Sequence, residues 1–176
     1  MKTLAFFKEV ICDDNEERYR FLLNWLSELF QNKSKRNDFI LVLKGEQGSG
    51  KSFFVKIICE LLDIQHNNTS HFITHNLKYV VDRFSIILNE IQLLVLEEIF
   101  WNKDSENILH KLSLRKLKMI IVVGGYDWVP IKGSFVVFDV TNKRRGYLDY
   151  FKAINEELNN GGTYQLVKFL ELYKGE

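Results

Sequence analysis

Gly45-Glu46-Gln47-Gly48-Ser49-Gly50-Lys51-Ser52 sets Gly45 and Gly50 with four residues between them, and a lysine and a hydroxyl directly after the second. Glycines at that spacing let backbone N–H groups turn inward around an anion. A helix opening after the loop adds the positive end of its dipole. Lys51 is placed to reach the β- and γ-phosphates of a nucleotide, and the Ser52 hydroxyl to hold Mg2+. The expected bound species are therefore ATP and Mg2+. A second pair, Glu97-Glu98, ends the apolar run Leu93–Leu96. Beside bound phosphates, Glu97 would support the shell of the metal ion and Glu98 would polarise an attacking water. The competing reading is two solvated acids at a helix cap.

These groups need rigid elements to aim them. Phe39-Ile-Leu-Val-Leu43 runs directly into the glycine loop and is continuously apolar, as a strand buried on both faces must be. Leu93–Leu96, Met119–Val123 and Phe135–Val140 are similar runs. Between them, Ser52–Leu62, Leu77–Leu88 and Asp104–Leu114 read as helices. Leu22, Trp25, Leu26 and Leu29 recur at helical spacing over residues 16–31, after possible N-cap oxygens at Asp13, Asp14 and Asn15. Residues 147–158 and 163–173 read as two closing helices around Asn159-Asn160-Gly161-Gly162. Strands alternating with helices predict an α/β P-loop NTPase of AAA+-like type, its mainly parallel central sheet flanked by helices. The expected plan is one domain with an N-terminal helical segment (1–38), an ATPase core (39–145) and C-terminal helices (146–176).

Composition narrows the function classes. With 176 residues, 46% hydrophobic, ten glycines and one proline, the chain suits a globular domain with a sizeable core. A formal net charge of +1 supplies no global field toward nucleic acid or membrane, so any DNA contact needs a local patch. The N-terminal stretch turns acidic at Asp13 and offers no signal-peptide cleavage pattern. No apolar run reaches membrane-spanning length. Cys12 and Cys59 fit no zinc or redox spacing and read as buried thiols. A cytoplasmic protein without a membrane partner is expected.

Several weaker signals read as ordinary structure. His66, His71 and His75 lack matching acidic or cysteine partners for a metal. Arg115-Lys116-Lys118 (broken by Leu117) and Lys143-Arg144-Arg145 are short basic groups that read as solvated surface. Phe100-Trp101 and Trp128 serve core packing as readily as base stacking.

Together the segments FKEVICDDNEERYRFLLNWLSELFQ, FILVLKGEQGSGKSFF, LLVLEEIFW and YDWVPIKGSFVVFDVTNKRRGYLDYFKAINEELNNGG resemble the helicase domain of phage and viral primase–helicases, superfamily three of the AAA+ ATPases. The resemblance covers nearly the whole chain, with its motifs in the family's order. It implies a nucleotide-dependent motor that assembles as a ring around DNA in replication, and it carries Gly45, Gly50, Lys51, Ser52, Glu97 and Glu98 into the roles above. This chain also departs from the pattern. The family's polar sensor after the third strand falls at Gly125, preceded by Gly124. Gly133-Ser134 stand where a family arginine reaches a neighbouring subunit, and the interval from Glu98 to Met119 is short for a DNA-gripping hairpin.

Two functions follow as expectations. One is a replication-associated, helicase-type ATPase that hydrolyses weakly alone and acts as a homo-oligomer, with DNA as a possible partner. The other is a non-catalytic nucleotide-binding module that serves a replication protein as adaptor or inhibitor. A small-molecule kinase fits less well, because no arginine-rich lid segment is present. Either Arg144 or Arg145, just past the last strand, is placed to replace the missing arginine.

Overall fold

Apolar runs without alternation have to be covered on both faces, and the computed structural model covers them with helices. It describes residues 1–31, 39–66, 70–83, 90–99, 102–114, 117–124 and 134–175. The strands are β1 (Ile40–Lys44), β2 (His71–Thr74), β3 (Leu93–Glu97), β4 (Lys118–Val123) and β5 (Phe135–Asp139). They form one sheet in the order β2-β3-β4-β1-β5, and every pair is parallel. β2 lies within the stretch whose histidines were weighed as a metal cluster, and the sequence reading did not include it as a strand.

Side chains alternate across a strand, so β1, β3, β4 and β5 each feed two cores. Leu41, Leu43, Leu93, Val95, Ile120, Val122 and Phe138 face one helical layer. That layer contains α1 (Lys2–Phe6), α2 (Glu16–Phe30), α3 (Lys51–Gln65), α6 (Leu148–Glu157) and α7 (Thr163–Leu172). Ile40, Val42, Leu94, Leu96, Met119, Ile121 and Val123 face the other, beneath α4 (Leu77–Arg83) and α5 (Lys103–Ser113). Each fully buried Leu, Ile or Val contributes roughly 1.5–3 kcal/mol of transfer free energy, which holds the three layers together. The second half of the helix expected over 77–88 lies outside the described residues.

Asn15 caps α2, its side chain accepting from Arg18 N at 2.9 Å. The stretch ahead of α2 is helical over Lys2–Ile11. α1 continues through a wider π turn, Phe7–Ile11, and Phe6, Phe7, Val10 and Ile11 are fully buried. Its opening N–H groups are met from 154 residues away: Glu157 Oε1 accepts from Thr3 N at 3.0 Å and from Thr3 Oγ1 at 2.8 Å. Burial alone would raise the Glu157 carboxyl, but the Thr3 and Lys2 donors outweigh it and hold the group below its ordinary value. A kink at Asn160 and Gly161, whose backbones are non-helical (Gly161 at φ 94°), separates α6 from α7 where the sequence suggests a turn.

Lys118 corrects the reading of a solvated basic run. It opens β4 only 8% exposed, Nζ donating to Trp25 O at 2.6 Å and lying 3.3 Å from Glu28 Oε2, above the Trp25 ring. Burial pushes its ammonium down to about 8, the Glu28 carboxylate offsetting part of the fall. Between that value and 10.5, the ordinary lysine value, the unfolded chain binds a proton that the folded chain releases. This group's contribution therefore favours folding more as pH rises through that window. Relative to Lys118→Met, the wild type should gain on the order of 2 kcal/mol of stability from pH 8 to pH 10. Urea unfolding of both proteins across the range measures it, and parallel pH profiles would contradict the assignment.

Candidate nucleotide site

The glycine loop joins the end of β1 to the start of α3, and its backbone disfavours larger residues at the two motif glycines. A Cβ on Gly45 would lie 2.9 Å from Val140 O. Gly50 has φ +106°, and a Cβ there would lie 3.1 Å from Phe6 Cε2. The backbone conformation thus favours glycine at Gly50, and the close approach of Phe6 adds to it. Lys51, the first residue of α3, is 8% exposed and arches back over the loop. Its Nζ donates to Gly45 O at 2.6 Å, Glu46 O at 2.7 Å and Ser49 Oγ at 3.3 Å. Phosphate oxygens are acceptors of the same kind and can take over these contacts.

A cavity of about 1000 Å³ opens above the loop. Gln47, Gly48, Lys51 and Ser52 line one side of it, and Glu97, Glu98 and Ile99 another. The sheet order explains the separation. β4 lies between β1 and β3, so the loop and the acidic pair stand two strand spacings apart, roughly 10 Å. The site occupies the carboxyl ends of the parallel strands, where open α/β sheets bind ligands. The volume suits a nucleotide, and the buried ammonium beside a glycine cradle suits its phosphates. Ser52 and Glu97 line the same cavity and suit a magnesium ion that takes its other ligands from phosphate and water.

Glu97 is half-buried and pairs in register with Val122, whereas Glu98 is exposed with φ 52°, a left-handed conformation unusual for a residue with a Cβ. The chain thus leaves the sheet at Glu98 and turns its carboxylate out of the strand. His75 stands beside this turn, with Nδ1 2.9 Å from Glu97 O. The three histidines do not converge on a metal: His71 Nδ1 lies 3.2 Å from Asp63 Oδ1. Among the described residues, no group of three or more His, Cys, Asp or Glu could hold an ion. Both cysteines are buried free thiols, pushed up to about 12 by desolvation, and are poor nucleophiles.

Gly124 lines the cavity at the end of β4, next to the sensor position, and contributes no side chain there. Gly125, Gly133, Phe100, Trp101, Trp128, Arg115 and Lys116 lie outside the described residues. The group Lys143-Arg144-Arg145 is not a free basic run. Lys143 Nζ lies 2.8 Å from both Asp13 Oδ1 and Asp14 Oδ2, and Arg144 Nη2 lies 3.0 Å from Glu9 Oε2. Arg145 Nη1 lies 2.6 Å from Glu46 Oε2, within the glycine loop itself.

One wall of the site was not read from the sequence. Phe53 and Phe151 meet edge to face at 5.1 Å, and Phe6 packs behind them at 5.5 Å and 5.9 Å. Phe53, Phe151 and Leu148 line the cavity, and Leu148 is 80% exposed at its mouth. Such an apolar surface beside a phosphate loop can carry a planar base. The available sequence signal was Phe53, directly after the loop hydroxyl on the opening turn of α3.

The model of the KAP family P-loop domain matches residues 19–160. A comparison with curated proteins returns no match. Among solved structures, the chain is similar to the apo A form of the NrS-1 C-terminal region, with a TM-score of 0.72 and 17% identity. That match covers 100% of this chain and 46% of the other. A further apo structure of the same region (305–718) gives a TM-score of 0.66 at 19% identity, covering 100% and 47%. The chain thus spans just under half of that region, and identities this low show a shared fold.

Proposed function

The chain belongs to the KAP family of P-loop domains, and from that premise we propose that it binds ATP as a replication-associated ATPase of the superfamily-three helicase type. The observation that carries this reading is the single cavity shared by Lys51, Ser52, Glu97 and Glu98. In it, Lys51 exchanges the loop carbonyls for phosphate oxygens, and the loop N–H groups enclose the anion. Ser52 and Glu97 hold magnesium, which when bound neutralises charge on the phosphates. Glu98, turned out of β3, accepts the proton of the attacking water. Phe53, Phe151 and Leu148 cover the base.

Hydrolysis by the chain alone is slow in this reading. A missing polarising donor costs roughly 2.7–4 kcal/mol, and an arginine from a neighbour is worth about 10³–10⁵ in rate. Action as a homo-oligomer on DNA, in the cytoplasm, belongs to the same proposal. No described helix is long and apolar enough to cross a membrane. Gly124, without a side chain beside the sensor position, favours a second reading: a nucleotide-binding module that docks on a replication protein without turning ATP over.

ATP binding and hydrolysis by the purified chain, with and without single-stranded DNA, separate these readings. The helicase-type reading expects binding with turnover below about 1 s⁻¹, the low end for enzymes, and stimulation by DNA. Tight binding without turnover in either condition would transfer the proposal to the docking module. Absence of ATP binding would remove both.

A further inference from the structure

Arg145 lies across the phosphate loop. Its Nη1 is 2.6 Å from Glu46 Oε2, and its Cγ and Nε are 3.7 Å from the place a Cβ on Gly48 would occupy. Gly48 and Gly146, the residue after Arg145, both line the cavity, so the pair lies next to it. The neighbouring cations are engaged elsewhere. Arg144 is bonded to Glu9 and stacked on Tyr150, and Lys143 lies between Asp13 and Asp14.

We propose that Arg145 is a polyphosphate-binding residue of this site, supplied by the same chain, and that the Glu46–Arg145 pair is a latch that an arriving nucleoside polyphosphate opens. The proposal rests on the nucleotide-binding reading above. Its physical basis is a competition between acceptors. The side chains of Arg145 and Glu46 are 53% and 43% exposed, so water and salt screen their attraction and the pair is easily parted. A polyphosphate carries more charge than one carboxylate and offers paired oxygens that match the guanidinium fork. The arginine stem lies alongside the loop at Gly48. An arginine held in this way needs no neighbouring subunit, unlike the one whose family position Gly133-Ser134 occupy.

The test is titration of the wild type, Arg145→Ala, Glu46→Gln and the double variant with a non-hydrolysable ATP analogue and Mg2+, read calorimetrically. Arg145→Ala should weaken binding about tenfold, the size of one charge-assisted contact. Glu46→Gln should tighten it several-fold by releasing the guanidinium, and the double variant should bind as weakly as Arg145→Ala. Both side chains are about half exposed, so the variants should keep the wild-type fold and melting profile. Unchanged affinity in Arg145→Ala would overturn the proposal, as would tightening by Glu46→Gln that persists without Arg145. If the wild type itself fails to bind the analogue, the nucleotide reading falls and this proposal falls with it.

Discussion

Lys51→Ala is expected to weaken ATP binding by about a hundredfold or more, because two or more charge-assisted contacts of about 1.5–3 kcal/mol each disappear together. The structural reason is that this ammonium is already delivered to the loop. It is 8% exposed and donates to two loop carbonyls at 2.6 and 2.7 Å, so little rearrangement precedes phosphate binding. Alanine suits the opening turn of α3 and removes the charge together with its bonds to the loop. Thermal unfolding gives the readout. A ligand at about one hundred times its Kd stabilises by about 2.7 kcal/mol, and that shift should vanish in the variant. An ATP-induced shift retained by Lys51→Ala would mean that the loop is not the phosphate site.

Glu98→Gln is expected to leave ATP affinity within about twofold of wild type and to lower any turnover by about 10²–10⁴, the usual contribution of a positioned base. Glutamine preserves the shape and the left-handed backbone at φ 52°, so the turn that ends β3 should persist. What changes is proton affinity, because an amide does not accept the proton of the attacking water. Single-turnover hydrolysis separates the chemical step from product release. Unchanged turnover in Glu98→Gln, with loss in Glu97→Gln, would reverse the roles of the two acids.

The parts legible in the sequence are those encoded by local spacing. The loop Gly45–Ser52 was legible because a chain that wraps a phosphate needs glycine at fixed offsets; Gly45 has no space for a Cβ, and Gly50 has φ +106°. β1, β3, β4 and β5 were legible because strands covered on both faces must be continuously apolar. The position of Glu97-Glu98 at the end of β3 followed from the same rule. β2 escaped because His71-Phe72-Ile73-Thr74 is only four residues long and polar at both ends, below the length at which periodicity is informative. The packing of the N-terminal helix escaped because its partners lie far along the chain. Phe6 packs on Phe151, and Glu157 caps Thr3.

By itself the sequence determined the glycine loop, the place of the acidic pair and the α/β class, since each follows from contacts within one loop, strand or helix turn. Tertiary structure alone decided which distant groups share the cavity. The order β2-β3-β4-β1-β5 places β4 between the loop and the acids, and no local pattern encodes the order of parallel strands. Folding also converts apparently solvated cations into specific partners. Lys118 is buried against α2, and Arg145 meets Glu46 across 99 positions of chain. The physical reason is common to all of these. Propensity and periodicity act over a few residues, whereas burial and charge pairing depend on surfaces that come together only when the sheet assembles.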